Sequence, residues 1–302
     1  MRRTTIGRRA GSSKKTATRK TALGGRLVVL SNVLKAWALL LGTCGVLGGI
    51  GWLIDGYRLL SIFVFCGVLL AGALYWYADR VAIGLVGGRE MPAGEAPGLH
   101  STLERLAALA GVVKPRLYLM DDGLPRALAA GRGPGGSALA VSAGLLTAAS
   151  PAELEAVLAH ELAHVRHRDV VVQTSVVVLA ATLLELTRIG GWFSRALLFV
   201  FGPVAAAFVH LMLSPKREFL ADRAAAEICL SPHPMADALV RLDQAAELVD
   251  FVGSPATEPL YTINPFLEQG LAALFITHPP VGERVRRLRE LDPDWREKLR
   301  AA

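Results

Sequence analysis

The first 54 residues of this 302-residue chain contain no acidic side chain, and the whole chain holds only three cysteines. Three thiols are too few and too widely spaced for a disulfide framework, and Cys44 and Cys66 both lie inside apolar runs. A zinc site built on cysteine is therefore excluded, and disulfide-dependent secretion has no support. The acid-free leader carries ten Lys and Arg, while the remaining residues carry 23 basic against 26 acidic side chains. A nucleic-acid-binding body needs its cations on the folded domain, so no nucleic acid is expected as a partner.

Charge is also missing from two long stretches. Residues 36–54 and 59–77 hold no charged side chain, with Asp55-Gly56-Tyr57-Arg58 between them. Each is long enough to cross a hydrocarbon core of about 30 Å as a helix, so residues 36–78 read as a transmembrane hairpin. A cleaved signal peptide would have a shorter apolar core and no second run directly after it. A second, weaker pair lies at 170–187 and 196–213, interrupted by Gln173, Glu185, Pro203 and His210. It is expected as another hairpin over 170–213, with buried or membrane-surface helices as the alternative. The basic leader places residues 1–35, expected as a disordered lipid-facing tail, in the cytoplasm. An even number of spans then returns 79–169 and 214–302 to the same side as two parts of one catalytic domain.

Ser150-Pro151-Ala152-Glu153 has the form of a capping box with proline at the first helical position. The helix it starts carries an apolar stripe of Leu154, Val157, Leu158, Leu162 and Val165, and within it His160-Glu161-Leu162-Ala163-His164. Residues i and i+4 share one helix face, so His160 and His164 can present a nitrogen each to one zinc ion. Glu161, rotated about 100° from His160, stands where it can deprotonate a metal-bound water. Flanking Glu153, Glu155, Arg166, Arg168 and Asp169 mark this helix as water-facing rather than intramembrane. His167 is about 10 Å along the axis from His160 and reads as a helix-end side chain. A third ligand must come from elsewhere. Glu218 and Asp222, one turn apart in a later alanine-rich helix, offer a ligand and a carboxylate to orient a histidine, or else a solvated face paired to Lys216, Arg217 or Arg223. Glu185 is a poorer candidate, lying in an apolar run distal to the metal side.

Four motifs in order, GLPRALAAGRGP with ALAVSAGLL, ELEAVLAHELAHVRHRD, REFLADRAA and THPPVGERVRRL, resemble the HtpX-like membrane zinc metallopeptidases, related to the CAAX prenyl proteases. The resemblance implies a mainly α-helical, polytopic membrane protein with a small β-sheet and a gluzincin-like metalloprotease domain. It implies one Zn2+ per chain on His160, His164 and Glu218, with Glu161 as general base and Asp222 orienting the site. It also implies that His278 and Arg284 stabilise the oxyanion, and that Leu128, Ala129, Ala130 and Gly131 form an edge along which a peptide aligns. Relatives commonly have Pro-Asn-Ala-Phe-Ala where this chain has Pro125-Arg126-Ala127-Leu128-Ala129, a difference that bears on cleavage preference and leaves the zinc residues untouched. The expected activity is endoproteolysis of protein or peptide substrates at the cytoplasmic membrane, in membrane-protein quality control, with homo-oligomerisation left open. The alternative is a membrane scaffold that keeps a zinc site without turnover.

Overall fold

The computed structural model describes residues 7–189, 194–248, 255–262, 272–292 and 294, with side chains in the first helix from Leu27 onward. Among the described residues the chain is mainly helical with one four-stranded mixed sheet. Helix α1 (Gly7–Leu85) folds back on itself at Asp55 and Gly56, where the backbone leaves helical geometry and Gly56 takes φ 56°. Glycines let the two limbs approach closely: a Cβ on Gly51 would meet the Leu59 carbonyl at 2.5 Å, and one on Gly67 would meet Cys44 Cα at 3.1 Å. The reversal falls between the two uncharged runs.

Helical backbone begins at Gly7, and no proline occurs before Pro92 to stop it. Near the end of residues 1–35, Asn32 donates to the His167 carbonyl at 3.0 Å, and Lys35 Nζ donates to the Met212 carbonyl at 2.7 Å.

Around this hairpin the remaining elements form two bodies of packing. Helices α5 (Asp169–Ile189) and α6 (Ser194–Met212) pack on each other and on α1 through Val172, Val176, Ala180, Ala205 and Val209. The predicted glycine turn between them, Gly190 and Gly191, lies outside the described residues. The apolar run of α5 is spent mainly on its neighbours, whereas α6 exposes Phe199 and Leu211, and both limbs of α1 expose a near-continuous apolar surface. By length and composition, α6 and the Leu27–Ala73 stretch of α1 can cross a membrane; α5 qualifies only jointly with the preceding helix Pro151–Arg166, which it meets at 87°. Glu185 is exposed, not buried as its apolar surroundings suggested.

The other body holds the sheet. Strands β1 (Gly88–Glu90), β2 (Arg116–Met120), β3 (Ala127–Gly131) and β4 (Ser137–Ser142) run in the order β1-β2-β4-β3. β2 and β4 are parallel and the outer pairs antiparallel, which leaves β3 at the edge. Helices α2 (Pro97–Ala110) and α3 (Ala143–Ala148) precede α4 (Pro151–Arg166), which starts on the predicted capping box, with Ser150 and Glu153 bonding each other's backbone N–H. Helices α7 (Lys216–Ile228), α8 (His233–Leu248) and α9 (Val281–Glu290) complete the body.

Helix α4 is not water-facing. From Ala156 to Val165 every residue is buried, between α2, α7, α8 and β3. Two of the charges that argued for exposure are internal: Glu153 bonds Arg241, and Asp169 turns inward onto His164. Alanines at 156, 159 and 163 give α4 small faces that neighbouring elements can approach closely.

Candidate metal centre

Close approach of two alanine-rich helices builds the centre. Ala163 of α4 packs on Ala221 and Ala224 of α7, and this contact brings Glu218 against the histidine face of α4. His160 Nε2 and His164 Nε2 lie 3.2 Å apart, and the Glu218 carboxylate stands 3.5 Å from the first and 3.7 Å from the second. All three ligand atoms fall within 4.8 Å of one another, and all three residues are buried. Two nitrogens on a tetrahedral zinc at about 2.0–2.1 Å would be roughly 3.3 Å apart, so the spacing fits that ion. Glu218 Oε2 is buried and makes no hydrogen bond, which a cation in the cluster would remedy. The solvated-face alternative for Glu218 and Asp222 fails on burial, although Arg217 does stand 3.2 Å from Glu218.

Each imidazole has a carboxylate behind it. His160 Nδ1 lies 3.0 Å from Asp222, and His164 Nδ1 lies 3.0 Å from Asp169. Asp222 is in turn gripped by Arg284, whose Nε and Nη2 donate to its two oxygens at 2.9 and 2.7 Å. Asp169 is held by Asn32 at 2.5 Å. Burial alone would discharge these imidazoles. Against that, Glu218 and Asp169 hold the His164 ring cationic up to about pH 10 in the metal-free cluster, and Asp222 and Glu218 raise His160. Glu218 is driven well below the ordinary carboxylate range because its histidine neighbours outweigh its own burial. The pocket demands positive charge, and protons or a divalent cation can supply it.

Asp169 was missed as a site residue because it was read as a solvent-side charge. Arg168, with φ 61°, turns the chain so that Asp169 comes back onto His164. Asn32, 137 residues away from it, leaves no local signal. His167 caps α4 and stays outside the ligand cluster.

The segment before Thr277 was also missed. A turn of 3-10 helix at Pro255–Leu260 leads into Tyr261 and Thr262, and Tyr261 bridges Leu128 of the β3 edge antiparallel. Thr262 Oγ1 donates to Glu161 at 2.9 Å. His278 Nε2 donates to the Tyr261 carbonyl at 2.6 Å, and Arg284 Nη1 to the Thr262 carbonyl at 2.6 Å. The structure thus brings Glu161, His278, Arg284 and the β3 edge together around two peptide carbonyls of the chain itself. Burial pushes His278 down to about pKa 3, so it is a neutral donor, and burial raises Glu258, 3.4 Å behind it, to about 7. Arg126 lays its guanidinium 4.8 Å over the Tyr261 ring. Ala130 and Gly131 continue the edge, and Gly131 N–H is taken by Thr174 of α5 at 3.0 Å.

Two imidazoles and a carboxylate converging with a glutamate beside them, on a helix buried within a mostly helical body, define a metallopeptidase. The comparisons agree with that class. Residues 93–292 match Peptidase family M48, and the chain belongs to this family. It is 36% identical over 275 residues to a protease HtpX homolog of Pelotomaculum thermopropionicum, covering 85% of this chain and 98% of that protein. A protease HtpX homolog of Pyrococcus abyssi is 36% identical over 263 residues, covering 82% and 91%. The crystal structure of S. mikatae Ste24p is 17% identical with a TM-score of 0.45, covering 86% of this chain and 66% of that one.

Proposed function

We propose that this chain is a multi-pass zinc endopeptidase of the cytoplasmic membrane, with its site facing the cytoplasm, that cleaves damaged or misassembled membrane proteins. The observation that carries the reading is the buried His160, His164 and Glu218 cluster with Glu161 on the same helix. Three protein ligands leave a position for water, as catalytic rather than structural zinc sites do. The bound ion would polarise the scissile carbonyl and lower the pKa of its water toward about 7. Glu161 would take a proton from that water and return it to the departing amine as the C–N bond breaks.

The Tyr261–Thr262 backbone supports the roles of the other residues. Its carbonyls stand where substrate carbonyl oxygens would, accepting from His278 and Arg284, and its strand bridge stands where a substrate would pair with Leu128 to Gly131. A substrate strand must therefore displace this segment, and the described arrangement is the closed one. Arg284 then has two duties, since Nε and Nη2 hold Asp222 while Nη1 faces the carbonyl. In this reading residues 36–78 and 170–213 are the membrane part, and 79–169 with 214–302 the catalytic domain. The first limb of α1, the start of α5 and the end of α6 meet at the metal-bearing end, as Asn32 with Asp169 and Lys35 with Met212 attest.

The test is metal analysis and proteolysis of the purified, detergent-solubilised protein. One zinc per chain and internal cuts in an unfolded protein such as casein, abolished by chelation and restored by zinc, are expected. Full zinc content without cleavage would overturn the peptidase reading in favour of a scaffold. For orientation, single cysteines at Ser12 and Ala152 in a cysteine-free background should both label from the cytoplasmic side; external labelling of Ala152 would reverse the topology.

A further inference from the structure

Two adjoining cavities outside the metal site share one residue, Arg132, directly after the edge strand β3. One is an apolar groove of about 480 Å³ between the limbs of α1 and the start of α5, walled by Ala36, Trp37, Leu41, Val68 and Val171, with Arg132 and Arg168 also on its lining. The other, about 280 Å³, is polar and ringed by Arg80, Lys114, Arg116 and Arg132 against a single lining carboxylate, Asp79. Asp79 is already taken by Arg116 at 2.5 Å.

Among the described residues Arg80, Arg132 and Arg168 form no ion pair, and the Nε of Arg132 is buried without a hydrogen-bond partner while its guanidinium stacks 4.3 Å over Trp76. Arg132 lines both cavities, and a phosphate oxygen is an acceptor that suits a guanidinium. The groove extends from Asn32 to Cys44 on the first limb, about 18 Å of helix at 1.5 Å per residue, which matches an extended fatty-acyl chain. Apolar volume for one chain, ending in cations at the membrane-surface end of the helices, is the complement of an anionic lipid.

We propose that these cavities form a binding site for one anionic phospholipid, its acyl chain in the groove and its phosphate diester between Arg132 and Arg168. The site rests on the membrane placement proposed above. It touches the catalytic machinery at two points, because Arg132 follows the substrate-edge strand and Arg168 precedes Asp169, which orients His164. Lipid bound there ties both segments to the bilayer surface.

Tryptophan quenching by brominated lipids tests this in reconstituted vesicles. One variant keeps Trp37, in the groove, as its only tryptophan, and another keeps only Trp52, near the hairpin turn. Brominated phosphatidylglycerol is diluted into unbrominated phosphatidylcholine, and the reverse labelling serves as reference. The Trp37 protein should report about 5-fold enrichment of the anionic lipid per arginine, roughly 25-fold for both. Trp52 should be quenched equally by either lipid. Arg132→Gln with Arg168→Gln should abolish the enrichment, and the paired Lys substitutions should retain most of it. If the double Gln variant loses helicity or zinc, Arg168→Gln alone, at an exposed position, should still lower enrichment about 5-fold. Equal quenching of Trp37 by the two lipids, or enrichment unchanged in the Gln variants, would overturn the site. Absence of quenching at Trp52 would instead show that the hairpin is not inserted, and the membrane reading would fail with it.

Discussion

Replacing Asp169 by Asn isolates an orienting contact whose role the sequence did not reveal, although Asp169 closes the histidine motif. Its carboxylate stands 3.0 Å from His164 Nδ1, and with Asn32 on its other oxygen it is locked in place. An acceptor-only partner at Nδ1 fixes the tautomer in which the Nε2 lone pair faces the ligand cluster. Asparagine is nearly isosteric but neutral. If its carbonyl faces the ring, a charge-assisted bond becomes a neutral one of about half the strength; if its amide faces the ring, the wrong tautomer is favoured. Either way, loss of such a contact costs about 10- to 100-fold in metal affinity, or about 1.4–2.7 kcal/mol. Competition for zinc against a chromophoric chelator, in detergent at fixed pH, measures it directly. Asn32→Ala is the graded control: the carboxylate stays charged but loses its brace, so the loss should be smaller, roughly 2- to 5-fold. Zinc affinity in Asp169→Asn equal to wild type would refute the argument that Asp169 orients His164.

Arg284→Ala leaves Asp222 charged and buried without its partner, so the protein should lose about 3–5 kcal/mol of stability together with turnover, and Arg284→Lys should restore only part of either. Unchanged thermal stability would show that Asp222 does not depend on the guanidinium. Because His164 in the metal-free protein is raised to about 10, its stabilising contribution is complete below the unfolded value of about 6.5 and fades as pH climbs through 10. Zinc must displace that proton, so apparent affinity should rise about tenfold per pH unit between 6.5 and 8.5, with about one proton released per ion in calorimetry. A pH-independent affinity would contradict it. Thr262→Ala removes the hydroxyl that occupies Glu161, and the closed segment should yield more readily, raising peptide kcat/KM several-fold; a fall would mean that Thr262 serves the base rather than blocks it.

What was legible depended on whether local chemistry sufficed. The Ser150 capping box, the His160 and His164 pair one turn apart and the Asp55-Gly56 reversal are each written within a few residues, and the structure has them in place. Spacing left Glu218 undecided between ligand and solvated face, since that choice rests on a long-range contact of Ala163 with Ala221. Charges near the histidines were misread because hydration is the default for Glu and Asp, whereas Glu153 and Asp169 are paired inside the fold. The Tyr261–Thr262 segment shows no periodicity at all, and its role appears only once the sheet exposes β3 as an edge.

The central claim is that Glu161 activates water on a metal held by His160, His164 and Glu218. Zinc content and casein hydrolysis, measured together on purified Glu161→Gln protein, test it most directly. Full zinc occupancy with activity reduced at least about 10²-fold is the expected result, because the ligands survive and the proton acceptor does not. Hydrolysis at the wild-type rate in that variant would contradict the mechanism.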